Sequence, residues 1–103
     1  MSGMDKTGLS AQMEIFSEEE WFELVNDLSL PRRQAEIVRH LFHGQSDRQI
    51  AMDMEISVAT VRTHLSRLFS RFGVQDRCEL ILFVFRHFRN KNRTEITTSE
   101  LMT

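Results

Sequence analysis

Apolar residues recur at three- and four-residue intervals along most of the chain, and the rhythm breaks wherever capping residues cluster. That period belongs to amphipathic helices. "SEEEWFELVNDL" puts Trp21, Leu24, Val25 and Leu28 on one face, with Trp21 read as a packing residue. Ser17 is a suitable N-cap and Glu20 completes a capping box. Three glutamates in the first turn suit the positive helix end. In "PRRQAEIVRHLFHG", Ile37, Val38, Leu41 and Phe42 share a face. Pro31 fits the first turn of that helix, where its missing N–H would go unpaired anyway, and Gly44 is a natural stop. "SDRQIAMDME" is a shorter helix with Ser46 as N-cap, Gln49 as capping-box partner, and Ile50, Ala51 and Met54 turned inward. Ile56 is a core contact in the next turn. Ser57 then caps a helix that runs to Phe72 and ends at Gly73. A last helix starts near Asp76 or Arg77 and runs to about Arg89.

No alternating strand pattern and no Asn-Gly hairpin signal interrupts this reading, so the expected fold is all-α. Residues 1–16 lack periodicity and are expected to fray. The expected plan is an acidic extension over 1–29 with one helix at about 17–28, a domain over 30–89, and a flexible polar tail over 90–103. Within the domain, residues of about 46–72 form a helix, a short turn and a second helix, which is a helix-turn-helix candidate.

The second of those helices carries the most specific signal. Advancing about 100° per residue, Val58, Val61, Leu65, Leu68, Phe69 and Phe72 fall in one apolar arc. The polar side divides in two. Arg62, Thr63 and Ser66 lie in a zone of small or flexible groups that can enter a DNA major groove, where an arginine fork reads guanine and hydroxyl or methyl groups meet other base edges. Thr60, His64, Arg67 and Arg71 lie in a second zone suited to phosphates, which fix position without reading sequence. "VATVRTHLSRLFSRFG" holds three arginines and one histidine but no carboxylate. A solvated basic face alone would be commonplace; the cap, helix, turn and cap that precede it give it weight.

Charge sharpens the point. The net charge of −2 conceals −6 over residues 1–30, +3 over 31–77 and +1 over 78–103. For a nucleic-acid binder the charge of one face matters more than the total. Other chemistry is thinly represented. Cys78 is the only cysteine; it can form no internal disulfide, and it reads as a small buried hydrophobe. His40 and His43 sit near a helix C-terminus, where a cation is favoured, without a third metal ligand. His64 beside Thr63 and Ser66 lacks the orienting group that a catalytic pair needs. No phosphate-binding glycine loop is evident, and the longest apolar run, Leu80 to Phe85, is far shorter than the ~20 residues of a membrane helix. No signal peptide is read at the N-terminus. No catalytic residues, cofactor, metal or small-molecule ligand are expected.

From Leu30 to about Phe88 the chain resembles the LuxR/GerE-type helix-turn-helix domain of bacterial transcription regulators. The resemblance lies in "LPRRQAEIVRHLFHGQSDRQIA", "ISVATVRTHLSRLFSRFGV" and "DRCEL". Matching positions include Leu30, Arg33, Gln34 and Glu36; Gly44, Ser46, Ile50 and Ala51; Thr60 to His64; and Gly73, Val74, Arg77 and Glu79. The resemblance implies a tetra-helical domain, here with one extra N-terminal helix, whose third helix enters the major groove. By position it implies base contacts from Arg62, Thr63 and Ser66, and backbone contacts from Arg48, Thr60, His64, Arg67 and Arg71. The family often has Lys at the first and last base-facing sites, so no target sequence carries over. Pro31 stands where Thr or Ser often caps the first domain helix.

The fourth helix of such domains commonly mediates dimerisation. Leu80, Ile81, Val84, Phe85 and Phe88, on a helix apolar around most of its circumference, are the expected dimer residues. Most relatives carry a receiver or ligand-binding domain ahead of this one. Only about 29 residues precede it here, so a free-standing, cytoplasmic, non-enzymatic regulator is expected, nucleoid-associated when bound. Double-stranded DNA and a second copy of the chain are the expected partners, RNA polymerase is a further candidate, and no membrane is involved. Two other readings stand beside this one: a promoter-reading module like that of a sigma factor, and an interaction module that sequesters another regulator, its acidic segment mimicking DNA or masking Arg67 and Arg71.

Overall fold

A computed structural model describes the backbone of residues 15–102 and the side chains of residues 15–91. The chain forms α1 (Glu18–Leu28), α2 (Arg32–Phe42), α3 (Asp47–Met54), α4 (Val58–Phe72) and α5 (Arg77–Met102), with no strand among the described residues. The caps follow the sequence closely. Ser17 with Glu20 and Ser46 with Gln49 each form both hydrogen bonds of a capping box, satisfying donors that the first turn leaves open. The Ser57 hydroxyl accepts from the Thr60 amide at 3.0 Å. Gly44 and Gly73 take φ of 72° and 66°, the left-handed conformation that closes a helix without Cβ strain. Pro31 sits one residue outside α2, as its N-cap, and its carbonyl accepts from the Ala35 amide at 2.8 Å.

Two turns are made without glycine. Ser29 and Glu55 take φ of 50° and 56° at the ends of α1 and α3. In each, the next amide reaches back to an orphan carbonyl: Leu30 to Val25 at 3.0 Å, and Ile56 to Ala51 at 3.0 Å. These bonds hold residues in a region that ordinary side chains disfavour.

Four helices share one core. Ile37 and Val38 of α2, Ile50 of α3, Val61 and Leu68 of α4, and Leu80 and Val84 of α5 are fully excluded from solvent. Each comes from the apolar stripe of its own helix, so burial fixes the rotation of all four. α1 is fastened at the edge through Trp21, Leu24 and Leu28. Phe16, inside the stretch expected to fray, is buried instead. Its ring meets Phe42 and Phe88 edge-on at centroid distances of 5.1 and 4.9 Å, a favoured aromatic geometry. The remainder of that stretch, residues 1–14, lies outside the described residues.

Three expectations change here. Leu80 and Val84, assigned to a dimer face, point into their own domain. Residues four apart share a helix face, and that pair is the one the core selects; Leu82 and Phe85 are left outside. Cys78 is exposed rather than buried, because it lies across α5 from Leu80. Finally, α5 does not stop near Arg89 but continues to Met102. No glycine or proline follows Arg89, so nothing in the sequence ends the helix. Among the described residues no helix is long and apolar enough to cross a membrane.

Leu80→Ala is therefore expected to lower the unfolding free energy by about 2–5 kcal/mol. Cys78→Ala, two residues earlier but on the outer side, should change it by less than about 0.5 kcal/mol. Urea denaturation of the two variants measures the contrast.

Candidate nucleic-acid interface

α4 presents its two sides very differently. Val61, Leu65 and Leu68 are buried, whereas Thr60, Arg62, Thr63, Ser66, Arg67, Ser70 and Arg71 are exposed. The cap at Ser57 starts the helix on the surface, and the apolar stripe then turns the polar face outward along its length. α3 packs against α4 through Ile50, Ala51 and Met54.

The three residues expected to meet bases stand together near the start of this face. The Arg62 side chain is 70% exposed. Thr63 is exposed and donates its hydroxyl to the Ala59 carbonyl at 3.0 Å. Ser66 lines a shallow groove with Arg62, Leu65 and Phe69.

The residues expected at phosphates divide. Arg48 and Arg67 are exposed, and neither makes an ion pair among the described residues. Thr60 shares its hydroxyl with Ser57 at 2.9 Å, as part of the cap. His64 is half-buried, and its Nδ1 is enclosed without a hydrogen-bond partner. Arg71 departs furthest from the expectation. It donates Nη1 to the Ser29 carbonyl at 2.9 Å and Nη2 to the Leu28 carbonyl, and it lies 4.9 Å from the Phe72 ring centroid. Carbonyls at a helix C-terminus lack intrahelical donors and carry partial negative charge. Arg71 answers that need for α1 instead of standing free on the groove wall.

Three of the five acids of α1 pair with bases of neighbouring helices. Glu18 pairs with Arg39 of α2. Glu23 and Asp27 meet Lys91 of α5 at 3.4 and 2.8 Å, and His87 lies 3.6 Å from Asp27. The hydrogen bond and charge of Arg39 hold the Glu18 carboxyl below the usual range. Lys91 does the same for Asp27, whose hydrogen bond in turn raises the Lys91 ammonium. These acids face α2 and α5 rather than the open side of α4.

Sequence reading missed two acids, Asp47 and Asp76, that line the groove beside Arg62 and Ser66. Asp47, at the first position of α3, accepts from Arg62 Nε at 3.2 Å and from Arg77 Nη2. Arg77 also reaches the Gln45 carbonyl at 3.3 Å. Partial burial pushes the Asp47 carboxyl up, but the hydrogen bonds from Arg77 and Arg62 outweigh it and the net shift is downward. Asp76, before α5, accepts from the Glu79 amide at 2.9 Å. α4 itself is free of acids, yet its surroundings supply two.

Comparison with known proteins agrees with this architecture. Residues 28–84 match the family of bacterial regulatory proteins of the luxR type, GerE. The chain belongs to this family. Relatives include the response regulator protein VraR of Staphylococcus aureus, with counterparts in Staphylococcus saprophyticus and Staphylococcus epidermidis. Each is 36% identical over 58 residues, which is 56% of this chain and 28% of the relative. The chain thus spans little more than a quarter of the length of these luxR-family relatives. No solved structure matches it.

Because Arg71 ties the end of α4 to the end of α1, Arg71→Gln is expected to lower stability by about 0.5–1.5 kcal/mol through the loss of hydrogen bonds to two carbonyls that water can reach. The loss should be local as well as global. Hydrogen exchange should accelerate more in α1 than in α2 or α3.

Proposed function

We propose that this luxR-family chain is a bacterial transcription regulator that binds specific double-stranded DNA by laying α4 in the major groove. The observation that carries the reading is the outer face of α4, which is exposed along its length, free of acids, and rooted by its opposite side in the core. Arg62, Thr63 and Ser66 meet base edges. Arg67 and Arg48 meet phosphates, with Thr60 and His64 beside them. Arg71 contributes at the phosphates only as far as its attachment to α1 allows. The matching region of relatives named response regulators supports a role in gene control. The site of action is the bacterial cytoplasm, and RNA polymerase is a candidate second partner.

A homodimer through α5 completes the proposal. Leu82 and Phe85 are 49% and 38% exposed, with Ile81 and Phe88 half-buried beside the core. A second copy would cover this face, and a paired domain would read two half-sites about one helical turn apart. The sequestering reading has less support. Glu18, Glu23 and Asp27 of α1 pair with Arg39 and Lys91 rather than with the recognition arginines.

Arg62→Ala is expected to relax preference at one base position, whereas Arg67→Ala weakens binding to all sequences and flattens the salt dependence by about one unit. Mobility shifts across a salt series test both, and unchanged binding in the two variants refutes the assignment. For the dimer, Leu82→Glu combined with Phe85→Glu should give a monomeric mass in sedimentation where the parent is dimeric. A parent that is monomeric at every concentration removes this part of the proposal.

A further inference from the structure

The link from Asp47 to Arg62 crosses between the two helices of the helix-turn-helix. It joins a recessed carboxylate, 19% exposed, to a guanidinium that is 70% exposed. Asp47 engages Arg62 through Nε alone at 3.2 Å, so neither terminal nitrogen of Arg62 is committed to that bond. Guanine O6 and N7 are read by two parallel N–H groups of one guanidinium, and the terminal nitrogens can supply such a pair. The second carboxylate oxygen is fixed from behind by Arg77, which is itself held at the Gln45 carbonyl. The anchor is therefore braced on α5 and on the turn before α3, while the held side chain projects.

We propose that Asp47 is a specificity-determining positioning residue, which fixes Arg62 by its Nε so that both terminal nitrogens are presented to a base edge. The inference rests on the reading of α4 as a DNA-recognition helix. A free arginine samples many rotamers and loses them on binding; one held at Nε beforehand loses fewer and misreads less. An acid at a DNA surface also repels phosphates. Here Arg77 offsets the charge of Asp47, and the four charged groups lining this groove, Asp47, Asp76, Arg62 and Arg77, balance to zero. The lowered pKa of Asp47 keeps the carboxylate ionised near neutrality, as the arrangement requires.

The test uses the full chain and a pool of duplexes with a randomised core, selected at fixed salt and sequenced. In the parent, the base preference that disappears in Arg62→Ala defines the position Arg62 reads. Asp47→Asn is expected to reduce preference at that position by roughly 10-fold, within the range of one bidentate contact. Other positions should be retained, and affinity for the unselected pool should be equal or higher. Asp47→Asn added to Arg62→Ala should change nothing further at that position, a result that a merely structural role would not give. Asp47→Ser, also at home in a first helical turn, gives the same result if the asparagine variant is too unstable to assay. Preference at the Arg62 position unchanged in the Asp47 variants overturns the proposal alone. Uniform weakening at all positions also overturns it. A parent that selects no sequence overturns the recognition reading, and this proposal with it.

Discussion

Everything in this fold depends on one shared volume, filled by Ile37, Val38, Ile50, Val61, Leu68, Leu80 and Val84. Interiors of this kind are close-packed and tolerate little change of shape. α2, α3, α4 and α5 each contribute to it, so none can rotate without moving apolar surface into water. The outward face of α4 is a by-product of that constraint. Arg62, Thr63 and Ser66 are presented because Val61, Leu65 and Leu68 have nowhere else to go. α1 stands apart energetically, since its attachments are lateral: an aromatic cluster around Phe16, ion pairs to Arg39 and Lys91, and the Arg71 cap.

The helix pattern was legible because its signals are local. Capping boxes at Ser17–Glu20 and Ser46–Gln49 and the glycines at 44 and 73 act within one or two turns, and the chain spells them out. The rotation of α5 was not legible. Apolar residues surround that helix, so periodicity alone could not say that Leu80 and Val84 face in while Leu82 and Phe85 face out. The far end of α5 is hard to place for a related reason: the polar composition after Arg89 gives no apolar stripe to mark a helix, and no glycine or proline there ends one.

The outward placement of the candidate residues was legible to the same depth. Arg62, Thr63 and Ser66 share a helix face by simple spacing. Arg71 was different, because its partners are backbone carbonyls 42 and 43 residues away. A carbonyl has no residue identity to recognise. Asp47 lies 15 residues from Arg62 and 30 from Arg77, and only the crossing of the helices brings the three together. Charge counting along α4 therefore described the helix correctly and its surroundings incompletely.

The turns at Ser29 and Glu55 have a consequence beyond their geometry. Glycine is the easy occupant of a left-handed position, but it also enlarges the number of conformations open to the unfolded chain. A serine and a glutamate there narrow that ensemble, so part of the strain they carry when folded is returned as a smaller loss of disorder on folding. The elbow between α3 and α4, where Glu55 sits, is the joint that sets the angle at which α4 is offered. Built from a residue with a side chain, that joint has fewer alternative settings than a glycine hinge would have.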